Sequence, residues 1–423
     1  MLSRVKCIRP LTSAKRFYSK SELLTTPKYP GAVNAKFTKD LVFHNAVPNE
    51  PVFPIFHIMD LQGKIINQSS YKSVRETLDD DTLVKMYKTM IQLETMDTIL
   101  YNAQRQGRVS FYMTNYGEEA VQIGSAAALT ETDEIFAQYR EAGVLMYRGF
   151  TLEEFMNQCF STSKDYGKGR QMPVHYGSKS LRVQTISSPL ATQIPQASGA
   201  GYAIRLSDRK DVAICYFGEG AASEGDFHSA LNFAAVLKSQ VIFLCRNNGY
   251  AISTPTSDQY KGDGIVARGL GYGIHSIRVD GNDPFAVYMA VREARKMSTE
   301  KHVPVLIEAM TYRGGHHSTS DDASRYRTTN ELTYWREQMN PIFRLKKFLT
   351  NEKLWNEENE NQVRDDTRKK VLSLLTSVEK AEKTHLDELV TDVYDQVPET
   401  LKEQKKFVDA MAKKYPEAYS EGH

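Results

Sequence analysis

The sequence predicts an α/β protein in which a parallel sheet is flanked by helices, with an extended arm before it and a helical region after it. Two strand-helix-strand units carry this reading. In each, a continuous apolar run typical of a strand covered on both faces leads into a segment of helical spacing and then a second apolar run. The flanks differ in composition. From Thr26 to about Ser70, Pro and Asn interrupt short apolar pieces without sustained period, whereas residues 341–423 are dominated by Lys, Glu and Leu.

Taken in order, residues 1–20 carry Arg4, Lys6, Arg9, Lys15, Arg16 and Lys20 among Ser and Thr, and the first acid is Glu22. That is a mitochondrial presequence pattern, pointing to the matrix, and the segment is excluded from the fold. Residues 21–75 read as an extended arm lying on a partner subunit. The folded unit spans 76–340. Asp79 to Arg105 is a long amphipathic helix, with Leu83, Tyr87, Met90, Leu93 and Ile99 at three- and four-residue spacing and Gly107 as its stop. A second helix runs from Gly117 to Leu129, with the small residues GSAAA on a closely packed face. DVAICYF is then a buried strand, Ser223 to Lys238 a helix and VIFLC the next strand. In the second unit the strand HSIRV ends at Gly281, Asn282 and Asp283 cap a helix with Pro284 in its first turn, and VPVLIEAM follows. Right-handed crossovers in such a sheet place any ligand at the carboxyl ends of the strands. Residues 341–423 read as peripheral helices.

Composition sets limits on function. The 54 Lys and Arg against 52 Asp and Glu leave a formal charge of +2, with no basic field to draw in nucleic acid. The longest apolar runs fall far short of the roughly 20 residues that a membrane-spanning helix needs, so no membrane insertion is expected. Cys7, Cys159, Cys215 and Cys245 show neither a CxxC pair nor a His at zinc-ligand spacing, and the last two sit inside apolar runs as core residues.

The chemistry is concentrated in two strand ends. Gly218-Glu219-Gly220 closes the first strand and Asn247-Asn248 the next. In a parallel sheet these ends meet. Glu219 and Asn248 then supply hard oxygen ligands, and the backbone N–H groups of Gly220 and Ala221, at a helix N-terminus, face an anion. The combination suits a magnesium-bound diphosphate. A nicotinamide-binding GxGxxG loop fits less well: position 223 is Ser, and no acid follows at the ribose position.

With the Asn pair in register, the motif resembles that of thiamin diphosphate enzymes. The likeness extends over nearly all the chain after the presequence. RVSFYMTNYGEEA, AQYREAGVLMYRG, GKGRQMPVHYG, SSPLATQIPQA, YFGEGAASEGD, CRNNGYAISTPTS, RVDGNDPFAV and TYRGGHHSTSDD resemble the alpha subunits of branched-chain 2-oxo acid dehydrogenases. Pyruvate dehydrogenase alpha subunits are the more distant alternative, with a GDGAANQG-type segment where this chain has GEGAASEG.

The resemblance implies a thiamin diphosphate-binding fold and oxidative decarboxylation of branched-chain 2-oxo acids, with acyl transfer to lipoamide. It implies magnesium on Glu219, Asn248 and the backbone carbonyl of Tyr250. The diphosphate falls to Arg140, Arg246, Gly220, Ala221 and His317, the last also holding or shuttling protons. Gln138, Tyr139, Ser188 and Leu190 resemble further cofactor contacts, and Ser187, Pro189, Thr192 and Gln193 a potassium site. Ser318 resembles a serine phosphorylated by a dedicated kinase and released by a phosphatase; Thr328 stands where the family has a second one. The chain has room for only one α/β domain, so the cofactor's ring end falls to a beta subunit in an α2β2 assembly, served by a lipoyl-bearing transacylase. A catalytically dead scaffolding subunit is the reading of a different class, and intact Glu219, Asn248 and Arg246 argue against it.

Overall fold

The computed structural model describes residues 53–418. Among the described residues nine strands occur in chain order: β1 (Ile55–Phe56), β2 (Glu134–Phe136), β3 (Val183–Gln184), β4 (Ala213–Gly218), β5 (Val241–Asn247), β6 (Tyr250–Ala251), β7 (Thr254–Pro255), β8 (His275–Asp280) and β9 (Val305–Met310). Seven of them form one sheet of order β1-β8-β9-β5-β4-β2-β3, in which every adjacent pair is parallel, and β6 and β7 make a small hairpin. The α/β class, the parallel sheet and both strand-helix-strand units match the sequence expectation. The short strands β1, β2, β3 and the hairpin were not expected; at two or three residues they carry no periodicity of their own.

All residues of β4 and β5 are buried. Their side chains alternate between two cores, as the two-residue period of a strand requires. Ile214, Tyr216, Ile242 and Leu244 join one core, and Ala213, Cys215, Phe217, Phe243 and Cys245 the other. Each fully buried side chain of Ile, Leu or Phe size contributes on the order of 2 kcal/mol. Cys159, Cys215 and Cys245 are all buried free thiols.

Helix α1 (Asp80–Arg105) starts where Asp79 accepts from the Thr82 amide at 2.8 Å and ends before Gly107, whose φ of +76° no helix continues. Helix α2 (Glu119–Ala127) crosses it. Helices α3 (Gln193–Leu206) and α4 (Gly225–Leu237) pack together beneath β4, and a short 3-10 turn, Ala221–Ser223, precedes α4. Helix α5 (Pro284–Lys301) is capped by Asp283 as expected, with Pro284 in its first turn.

Asp283 does a second job: its Oδ2 accepts from the Ile58 and Met59 amides, both at 2.7 Å, which stitches residues 53–59 to the β8 edge. Of the arm, the described part therefore joins the sheet and then forms a helix, Gln68–Arg75. The presequence, Cys7 and the rest of the arm lie outside the described residues. In the C-terminal region, Pro341–Asn351 and Glu357–Val378 send Leu345, Phe348, Leu349, Val371 and Leu375 into the core, whereas Glu399–Lys414 buries no residue fully. No described helix is long and apolar enough to cross a membrane.

Candidate functional site

The carboxyl ends of β2, β4, β5 and β9 open onto one cavity of about 210 Å³. Strand β4 lies between β5, which follows it in sequence, and β2, which precedes it. This is a switch point of the sheet, where the loops part and leave a crevice. Gln138 ties two of these loops together, its Oε1 accepting from the Gly218 amide at 2.9 Å. The β4 loop also passes very close to the hairpin: a Cβ on Gly220 would lie 2.8 Å from that of Ala251.

Three guanidiniums border the cavity, each 1–2% exposed: Arg140, Arg246 and Arg313. Arg246 is clamped by Glu141 (Nε to Oε1, 2.8 Å) and Glu118 (Nη1 to Oε2, 2.7 Å). Burial works against its charge, but the two acids outweigh burial and hold its pKa above the ordinary value. Arg140 donates to the carbonyls of Thr114 and His317, both at 2.6 Å, and burial lowers its pKa despite Glu118. Arg313 donates to the Ile252 carbonyl at 2.6 Å and to the Tyr326 hydroxyl at 2.8 Å, and its Nε is buried without a partner. The Ile252 bond holds a β-branched residue at φ +57°, a left-handed conformation that costs about 1–2 kcal/mol and is retained at the cavity edge.

Against these stand three buried carboxylates, Glu118, Glu141 and Glu219. Glu219 is the unusual one. Its Oε2 accepts weakly from the Asn248 amide at 3.3 Å, while its Oε1 is buried with no partner at all. Burial raises its pKa, opposed by backbone amides and Arg246. A buried carboxylate oxygen left unpaired is costly, and a hard cation is the partner that suits it. Asn248 donates its amide nitrogen to Glu118 at 3.1 Å, which turns Oδ1 toward the Tyr250 segment.

His317 sits among cations. Burial, followed by Arg140 and Arg313, pushes its pKa down to about 3. Its Nδ1 lies 3.4 Å from both Arg140 Nη2 and Arg313 Nη1, so Nδ1 accepts and the ring proton belongs on Nε2. The neighbouring Ser318 is only 9% exposed, with Oγ 3.1 Å from that of Ser320. The His317 amide donates to Asp321 at 2.7 Å, and Arg327 donates to the carbonyls of Arg313 and Gly315, closing the loop. Thr328 caps the helix Thr329–Glu337 with its hydroxyl.

The cavity wall thus gathers Gln138, Tyr139, Arg140, Leu190, Glu219, Gly220, Ala221, Arg246, Asn248, Tyr250 and His317 from the expected set. Ser188 is not part of that wall; its hydroxyl is 2.7 Å from Nε2 of the buried His175. Ser187, Pro189, Thr192 and Gln193 also lie beyond the wall, on the segment entering α3. Thr192 occupies the cap position without capping, and Gln193 gives its amide nitrogen to the Tyr216 carbonyl at 3.0 Å, leaving its amide oxygen as the free end.

The family described as Dehydrogenase E1 component matches residues 87–387. The chain belongs to that family. This chain is 54% identical to 2-oxoisovalerate dehydrogenase subunit alpha, mitochondrial, of Homo sapiens, over 95% of its own length and 89% of the relative. The Caenorhabditis elegans protein of the same name is 52% identical over 93% and 90%. Subunit alpha 1 of Arabidopsis thaliana is 52% identical over 87% and 77%.

Sequence reasoning missed Glu118, Glu141 and Arg313 as parts of this E1 site. All three fall in segments that resemble the family, but the two acids look like ordinary surface acids, and only burial beside Arg246 marks them out. One expectation follows from His317. In the cofactor-free chain, nitrogen NMR should show a neutral ring protonated on Nε2 throughout pH 5 to 8; a titration midpoint inside that window would contradict the geometry. The unfolded ring titrates near 6.5 and the folded one near 3. Its contribution to stability is therefore intact above pH 6.5 and is lost as pH falls toward 3.

Proposed function

We propose that this chain is the mitochondrial alpha subunit of a thiamin diphosphate-dependent branched-chain 2-oxo acid dehydrogenase. With a beta subunit, it decarboxylates 2-oxo acids such as 3-methyl-2-oxobutanoate oxidatively and passes the acyl group to lipoamide on a transacylase core. The carrying observation is the 52–54% identity, over most of the chain, to proteins named 2-oxoisovalerate dehydrogenase subunit alpha. That name also favours the branched-chain reading over pyruvate dehydrogenase.

The cofactor, when bound, supplies the carbon nucleophile and the electron sink. The chain's own part is binding and orientation. Arg140, Arg246 and Arg313 would donate to diphosphate oxygens, Arg246 through Nη2, with Gly220 and Ala221 offering backbone N–H groups. Magnesium would take Glu219, the Asn248 amide oxygen and the Tyr250 carbonyl, and the unpaired Oε1 of Glu219 is the feature that supports a cation there. Gln138, Tyr139, Ser188 and Leu190 would complete the cofactor's surroundings. Potassium on Ser187, Pro189, Thr192 and Gln193 would brace the segment entering α3. His317, neutral, would donate from Nε2 and is the residue assigned to the reacting end.

Regulation by a kinase and a phosphatase at Ser318 fits the loop's construction. Ser318 is nearly buried, so modification requires the loop to open first. A phosphate then brings about 1.5 to 2 negative charges beside Asp321 and displaces His317, which Ser318 directly follows.

Assembled with a beta subunit in potassium buffer, the enzyme should turn over 3-methyl-2-oxobutanoate in preference to pyruvate. Glu219→Ala should abolish both turnover and thiamin diphosphate binding, and sodium in place of potassium should lower thermal stability. A preference for pyruvate, or unchanged binding in the Ala variant, would overturn the reading it tests. For regulation, Ser318→Glu should slow lipoyl-domain acylation at least about tenfold relative to Ser318→Ala; equal rates would remove Ser318 as a switch.

A further inference from the structure

Glu118 stands outside the cavity wall and outside every ligand-binding role proposed above, yet it touches more of the site than any other acid. It is 0% exposed. It occupies the cap position of α2 but makes no capping bond with its side chain, so its carboxylate does not serve its own helix. Instead Oε2 accepts from Arg246 at 2.7 Å, Oε1 accepts from the amide nitrogen of Asn248 at 3.1 Å, and Oε1 lies 3.9 Å from Nε of Arg140. Charge balance alone does not explain this placement, because Glu141 already pairs with Arg246 at 2.8 Å.

What Glu118 adds is direction. An asparagine amide has a donating end and an accepting end, and either can turn toward a neighbour. A carboxylate accepts only. Facing Glu118, Asn248 must present Nδ2 to it, and Oδ1, the end able to bind a hard cation, lies on the other side, where it accepts from the Tyr250 N–H at 3.2 Å. The same carboxylate occupies Nη1 of Arg246 while Glu141 occupies Nε, so Nη2 is the end left for an anion. We infer that Glu118 is a positioning residue that fixes the amide orientation of Asn248 and the free edge of Arg246, and so sets the affinity of the site for its metal. The inference rests on the metal reading proposed above.

Glu118→Gln keeps the shape but places a group that can donate as well as accept beside Asn248, leaving only the Tyr250 N–H, which donates to Oδ1 at 3.2 Å, to orient the amide. In the assembled enzyme, thiamin diphosphate binding is followed by calorimetry while magnesium is varied. The Gln variant should need about tenfold more magnesium for half-maximal binding, with its Michaelis constant for the 2-oxo acid unmoved. Glu118→Asp, an acceptor of shorter reach, should fall between Gln and wild type. A Gln variant within about twofold of wild type in its magnesium requirement overturns the inference. So does failure of both variants to assemble, since Glu118 would then be a folding residue. A wild-type enzyme indifferent to magnesium overturns instead the metal reading on which the inference rests.

Discussion

Three buried guanidiniums opposed by three buried carboxylates are the constraint around which this molecule is arranged. Removing such groups from water costs several kcal/mol each, and only close pairing offsets the loss. The pairing here is deliberately incomplete: one oxygen of Glu219 and one nitrogen of Arg313 have no partner. The pairs offset the cost of burial, and the unpartnered oxygen of Glu219 is what supports the cation proposed above. A divalent cation and a diphosphate, arriving together, add charges that nearly cancel; either alone leaves a large net charge in a desolvated pocket.

The sheet makes this convergence possible. Parallel strands deliver every β-to-α loop to one edge, and the switch between β2 and β5 around β4 leaves a gap there for a ligand. The residues concerned come from positions as distant as Glu118, at a helix start, and His317, in the loop that follows β9. Rigidity is supplied by local devices. Gln138 bridges two loops, Gly220 lets the hairpin approach, and Arg313 holds Ile252 in a conformation it would not adopt unaided. The His317 loop is tied by several bonds of its own: the His317 amide donates to Asp321, its carbonyl accepts from Arg140, and Arg327 donates to the carbonyls of Arg313 and Gly315.

Much of the frame was legible because its physics is local. β4 and β5 are buried on both faces and so appear as unbroken apolar runs, and Asp79, Gly107, Asp283 and Pro284 mark helix ends by their own conformational preferences. Glu219 and Asn248 were legible because two strand ends in register must meet. Glu118 and Glu141 were not, since an acid buried by tertiary packing has the same letter as one in solvent. The direction of a side chain was equally hidden. The Ser188 hydroxyl lies 2.7 Å from Nε2 of His175, a tertiary contact that no spacing encodes.

The central claim is that the charge-balanced cavity takes metal and diphosphate as a coupled pair. It is tested most directly by a closed binding cycle on the wild-type assembly: magnesium alone, thiamin diphosphate alone, and each in the presence of the other. The account predicts that each ligand raises the other's affinity by the same factor, at least about a hundredfold. A coupling factor near one would contradict it.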